Sequence, residues 1–145
     1  MITLIKLATN DQTIVARITK RILLGESLEQ IWLDHLTSKN YLRVLLEKFH
    51  VDPNTQDKYG ETALYYTNDL ELAKLLLEHG VNPNIKNKYG ETSLIWACRN
   101  GYTDIVKCLL EHGADPNIKN QYGRQALSFA WLQEIRDLLI QHGAK

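Results

Sequence analysis

No run of apolar residues in this chain approaches the roughly eighteen that a membrane-crossing helix needs, so no membrane association is expected. The opening, MITLIKLATNDQT, turns polar by residue 9, too early for the apolar core of a secretory leader. A cytoplasmic protein, or one delivered into a host cytoplasm, is expected. Net charge is absent as well, with 17 Lys and Arg set against 17 Asp and Glu. Without a basic surplus there is no general pull toward nucleic acid, and no such partner is expected. Cysteine is nearly absent: Cys98 and Cys108 both fall inside helix-like apolar patterns, which favours buried free thiols over a disulfide framework. The chain also has no GxGxxG, no GxxxxGK, no HExxH and no CxxC, which removes the common phosphate-cradling, zinc-hydrolase and redox signatures.

Proline is scarce too, and its placement shows the organisation. All three prolines sit in one recurring tetrapeptide, VDPN at 51–54, VNPN at 81–84 and ADPN at 114–117. Gly60, Gly90 and Gly123 each follow a tyrosine, whereas Gly80, Gly113 and Gly143 each follow a histidine after a leucine-rich stretch. These marks divide the chain into repeats at 51–80, 81–113 and 114–143, the outer two matching the middle one once three residues near CRNGYT are deleted. The outer copies are therefore expected to lack most of a helical turn and the link after it. One mildly acidic block, 51–80, carries two basic and six acidic side chains.

Each unit has a consistent local logic. A glycine after the tyrosine lets a turn reach positive φ. A short apolar helix follows, marked by Ala63 and Leu64, Ser93 and Leu94, or Ala126 and Leu127. A second helix has apolar residues at i, i+3, i+4 spacing, as in Ile105, Cys108 and Leu109. Asn68 with Glu71 reads as a capping box, and Thr103 as a cap. The terminal glycine reads as a left-handed helix stop, with proline three residues on.

These units resemble ankyrin repeats, each a β-turn plus two antiparallel helices of about 33 residues. In the middle unit Gly90, Thr92, Leu94, Ala97, Gly101, Ile105, Val106, Leu109, Leu110, Gly113 and Asn117 fall where that family's pattern wants them. The resemblance implies an all-α solenoid of stacked helix pairs joined by hairpin-like turns. It also implies a non-catalytic binding module whose partner is another protein. The family's Thr-Pro-Leu-His stretch is replaced by Thr-Ala-Leu-Tyr at 62–65, Thr-Ser-Leu-Ile at 92–95 and Gln-Ala-Leu-Ser at 125–128. The histidine that helps tie adjacent turns in the family is missing, so a looser turn layer is expected.

The whole chain, 1–145, reads as one domain, with 1–50 a degenerate N-terminal cap and 114–145 a truncated C-terminal cap. IWLDHLTSKNYLRVLLEKF at 31–49 aligns without a gap to 95–113, which places helices near 27–36 and 39–48. Either His50 or Phe49 stands where the terminal glycine should be, so that junction is expected to be strained. TND at 9–11 repeats TND at 67–69, which suggests a helix pair within 1–24 rather than a lone helix over 11–24. A wet outer face on Thr13, Arg17, Lys20 and Arg21 is expected there.

No cofactor or metal is expected. His79, His112 and His142 recur at one position, but equivalent positions in stacked repeats lie about 8–10 Å apart and cannot converge on one ion. The candidate contact residues are the turn tips, Lys58, Tyr59 and Glu61, then Lys88, Tyr89 and Glu91, then Gln121, Tyr122 and Arg124. The tyrosines serve either as partner contacts or as spacers stacked on the next turn. A second candidate patch is Arg99, Asn100, Tyr89 and Trp131, bordering a notch left by the truncated neighbours. Trp32 and Trp96 occupy equivalent positions and read as packing residues. A monomeric adaptor or anchor is expected, with a stoichiometric inhibitor or host-directed regulator that masks an enzyme as the alternative.

Overall fold

The second helix of each repeat ends where its sequence says it must. Gly80, Gly113 and Gly143 have φ of 85°, 87° and 92°. The amides beyond them, those of Val81, Ala114 and Ala144, reach back to the carbonyls of Leu76, Leu109 and Leu139 at 3.2, 3.0 and 2.9 Å. This is the six-to-one closure that satisfies orphan helix carbonyls. The structure is a computed structural model that describes residues 2–36 and 38–145, with side chains from residue 11 onward.

Among the described residues all regular structure is helical. The order is α1 (Ile2–Leu23), α2 (Leu28–Asp34), α3 (Lys39–Phe49), α4 (Ala63–Tyr66), α5 (Leu70–Glu78), α6 (Ser93–Asn100), α7 (Thr103–Glu111), α8 (Ala126–Phe129) and α9 (Gln133–Gln141). First helices stack on first helices, α4 on α6 on α8, and second on second, α5 on α7 on α9. One hydrophobic core runs the length of the stack, from Ile14 and Ile18 through Leu45, Leu76 and Leu109 to Ile135 and Leu139. No repeat hides its apolar stripe alone, so each depends on its neighbour.

The three-residue deletion is visible as shortened first helices. Helix α6 has 8 residues, α4 and α8 only 4 each. The middle repeat thus carries its first helix on through Arg99 and Asn100, followed by the short link of Gly101 and Tyr102, where both neighbours stop sooner.

The N-terminal region differs from one expectation. In place of a helix pair, α1 is one 22-residue helix; Met1 lies outside the described residues. Residues 2–23 hold neither glycine nor proline, so nothing forces a break at 9–11. Asp11, in the stretch that matches 67–69, lies within the helix and pairs with Arg43 of α3 at 2.8 Å. Thr13, Arg17 and Lys20 are exposed, whereas Arg21 is half-buried and paired with Glu26 and Asp34. Two caps are also corrected. Asp69, not Asn68, caps α5, accepting from the amides of Glu71 and Leu72, and Thr103 is the first residue of α7 rather than its cap. At the α3 exit His50 takes the left-handed conformation, φ 51°, as the only described non-glycine residue with positive φ.

Candidate functional site

The turn tips are built by one residue each that the sequence reading passed over. Asp57, Asn87 and Asn120 open the three turns. Each side-chain Oδ1 accepts from the amide two residues on, at 2.8, 2.9 and 2.9 Å, and from the amide four residues on, at 3.0 Å in every turn. An Asx side chain thereby closes the tip on itself. The recurrence of Asp or Asn two places before each tyrosine was the available signal.

The tips are then tied to one another. The Lys88 amide donates to the Tyr59 carbonyl and the Gln121 amide to the Tyr89 carbonyl, both at 3.0 Å. The Asn87 amide group donates to Glu61 at 3.1 Å, and that of Asn120 to Glu91 at 3.4 Å. A Cβ on Gly90 would lie 3.0 Å from the Gln121 amide nitrogen, so glycine there serves both φ and close approach. The expected loosening of the turn layer is therefore not what the missing histidine produces: asparagine amides and backbone bonds hold it. A second seam lies at the other side of the loops. Asn84 Oδ1 accepts from the Asp115 amide at 2.7 Å and its Nδ2 donates to the Gly113 carbonyl at 3.0 Å. Asn117 repeats this with Lys145 and Gly143, both at 3.0 Å.

The candidate residues divide between solvent and scaffold. Tyr59, Tyr89 and Tyr122 are 39%, 47% and 76% exposed, a graded row that opens toward the last repeat. Lys58 lies 5.0 Å and Lys88 4.7 Å from the Tyr59 ring centre, and Lys88 5.8 Å from that of Tyr89. Gln121 and Arg124 are exposed. Glu61 and Glu91 turn inward instead. Glu91 receives Arg99 at 2.5 Å, Asn120 and the Tyr65 hydroxyl at 3.3 Å. Burial pushes the Glu91 carboxyl up, but Arg99, Asn120 and Tyr65 together hold it below its ordinary value.

The second candidate patch is only partly assembled. Arg99 stacks its guanidinium 4.5 Å from the Phe129 ring centre, and its carbonyl accepts from the Trp131 indole N–H at 3.1 Å. The indole rests on Gly101, where an added Cβ would meet it at 2.8 Å. Trp131 thus covers one side of this link while staying 67% exposed. Asn100 bonds back to the Trp96 carbonyl at 2.8 Å, and Tyr89 remains in the tip row. On the opposite side of the link a cavity of about 340 Å³ lies open between Asn68, Leu70, Tyr102 and Ile105. Trp96, read from the sequence as a packing residue, is partly exposed, as are Tyr66 and Phe129, which sequence reasoning missed at the same aligned position on the neighbouring first helices. Trp32, at the same aligned position, is fully buried, and its indole N–H has no partner among the described residues.

Residues 66–145 match the sequence model of the family described as ankyrin repeats, three copies. The chain belongs to the ankyrin-repeat family. Among solved structures, this ankyrin-repeat chain is similar to the ankyrin repeat domain of Bcl-3, described as a unique member of the IkappaB protein family. That likeness is 29% identical with a TM-score of 0.65, covering 71% of this chain and 46% of the other, so the chain spans about half that structure's length. No curated protein matches it. Ankyrin repeats are protein-interaction modules. Cys98 and Cys108 are buried free thiols. Burial pushes Cys98 up to about 12, the opposite of what a nucleophile requires. The three recurrent histidines each place Nδ1 within 2.8–2.9 Å of a carbonyl four residues back, those of Leu75, Cys108 and Leu138. They act as helix-end caps. No described helix is long and apolar enough to cross a membrane.

Proposed function

We propose that this ankyrin-repeat chain is a binding module that presents its row of turn tips to one partner protein and acts as an adaptor or anchor. The observation that carries this reading is the tip row itself: three exposed tyrosines at equivalent places on turns tied together by backbone hydrogen bonds. A tyrosine ring offers a flat apolar face and a hydroxyl with two χ angles to freeze, and a scaffold that is already rigid loses little further entropy on binding. Lys58, Tyr59, Lys88, Tyr89, Gln121, Tyr122 and Arg124 form the contact set. Arg99, Asn100 and Trp131 extend it toward the concave side, while Glu61 and Glu91 hold the turns in place beneath it. Affinity capture from the native source tests this, comparing wild type with the variant carrying Tyr59→Ala, Tyr89→Ala and Tyr122→Ala. The triple variant should lose one specific partner. Full retention of every partner would move the working surface to the first helices.

A further inference from the structure

Where the tip row meets solvent, its charge is of one sign. Lys58, Lys86, Lys88, Lys119 and Arg124 are all exposed, and none of them takes part in an ion pair among the described residues. The carboxylates of the turns themselves point the other way. Asp57 accepts from two backbone amides and from the Tyr66 hydroxyl, Glu61 from the Asn87 amide group, and Glu91 from Arg99, Asn120 and Tyr65. A chain of zero net charge has therefore sorted its charges along this edge, anions inward as hydrogen-bond acceptors and cations outward with no ion-pair partner among the described residues. The lysines are also steered. Lys58 and Lys88 lie over the Tyr59 ring, where the aromatic face attracts a cation and holds it beside the tip.

We infer that the tip row takes an acidic, extended segment of a partner protein, with carboxylates set against Lys58, Lys88 and Arg124. The inference rests on the reading of the tips as the contact surface and names the chemistry that surface selects. Successive repeats are spaced by about 8–10 Å. An extended segment advances about 3.1–3.3 Å per residue, so acidic residues three apart reach successive tips. Nucleic acid is the poorer fit, because single-strand binding draws on open aromatic faces for base stacking and here Lys88 already lies over Tyr59.

The test uses the full chain and a fluorescein-labelled twelve-residue peptide with Glu at every third position, beside the same peptide with Gln in those places. At low ionic strength the Glu peptide should bind at least about tenfold more tightly than the Gln peptide, an advantage that shrinks as salt screens it. Lys58→Glu with Lys88→Glu should weaken the Glu peptide by about tenfold or more, whereas Lys20→Glu on α1 leaves it unchanged. Circular dichroism confirms that the variants fold, since every substituted side chain is exposed. Equal affinity for the two peptides, no binding of either, or a double variant that binds like wild type overturns the inference. So does tighter binding of a twenty-nucleotide oligothymidine than of the Glu peptide, or a dimer of this chain that the double variant dissolves. If the tyrosine triple variant loses its captured partner while the lysine double variant keeps it, the tips remain the contact surface and only the acidic chemistry fails.

Discussion

His50 is the one described residue whose conformation conflicts with its side chain. At φ 51° and ψ 42° it closes α3 in the left-handed region, where the equivalent closing residues of the later repeats are Gly80, Gly113 and Gly143. A Cβ there costs about 1–2 kcal/mol relative to glycine. The conformation persists because the next amide, that of Val51, must reach the Leu45 carbonyl at 3.2 Å to finish the helix, and Val51 is itself buried. The imidazole is exposed, so deleting it loses no core contact. Part of the gain is offset because glycine leaves the unfolded chain freer. His50→Gly should therefore raise the unfolding free energy by about 1 kcal/mol, read as a higher urea midpoint with an unchanged slope. A lower midpoint would mean that the histidine makes a stabilising contact outweighing its backbone cost.

Helices α4 and α8 each contain a single turn, and an isolated turn has no stability of its own. The last repeat compensates with Trp131, whose indole lies on Gly101 and bonds the Arg99 carbonyl. About a third of the side chain is covered, on the order of 60–80 Å² of apolar area, and the hydrogen bond adds to it. Trp131→Ala should cost about 1–2 kcal/mol, and Trp131→Phe about half of that, because the ring contact remains and the N–H is lost. Urea titrations of both variants check this; no loss in either would show the indole to be a purely external group. How much of this was legible follows from how local each feature is. The helix stops were legible because glycine, proline and the apolar spacing act within a few residues. The shortened helices were legible because a three-residue deletion changes helix length in any context. That Trp131 lies beside Arg99 was legible from the same deletion, whereas its indole's seat on Gly101 and its bond to the Arg99 carbonyl were not, since they depend on the backbone of a segment 30 residues earlier in the neighbouring repeat. The break expected at 9–11 failed for a related reason. The match to 67–69 was real, but there the chain leaves a one-turn helix and Asp69 caps the next, whereas at 9–11 the helix continues and Asp11 faces Arg43 of α3. The tip row was legible as residues but not in its polarity, because whether Lys58 and Glu61 point outward or inward is decided by Asn87 of the following turn.

At the scale of the whole molecule, titration of groups spread along the stack sets the pH range over which it holds. On the acid side, the Arg21 guanidinium holds the Glu26 and Asp34 carboxyls below their ordinary values, and Glu91 is held low despite its burial. Burial, then Arg21, lowers His35. Groups depressed in the folded state add stability that is complete above their unfolded values and is lost as pH falls, so the decline begins below about pH 6.5 and steepens through the carboxylate range. On the alkaline side the direction reverses. Burial raises Cys98 from 9.0 to about 12 and Tyr65 from 10.0 to about 12, and it raises Cys108 and Tyr66 as well. Above pH 9 the unfolded chain releases thiol protons that the folded chain keeps, so the unfolded state binds fewer protons and stability falls with rising pH. Each fully buried group adds a slope of up to about 1.4 kcal/mol per pH unit. The stack should therefore show a plateau between about pH 7 and 9 and lose stability on both sides. Cys98 lies in α6 and is buried, so within the folded stack its thiol keeps its proton up to about pH 12. Cys98→Ala should flatten the alkaline limb between pH 9 and 12 while leaving the acid limb unchanged, measured as urea midpoints across the range. An alkaline limb of the same slope in Cys98→Ala would mean that the thiol ionises at its ordinary value within the folded stack, and that burial in α6 does not hold its proton.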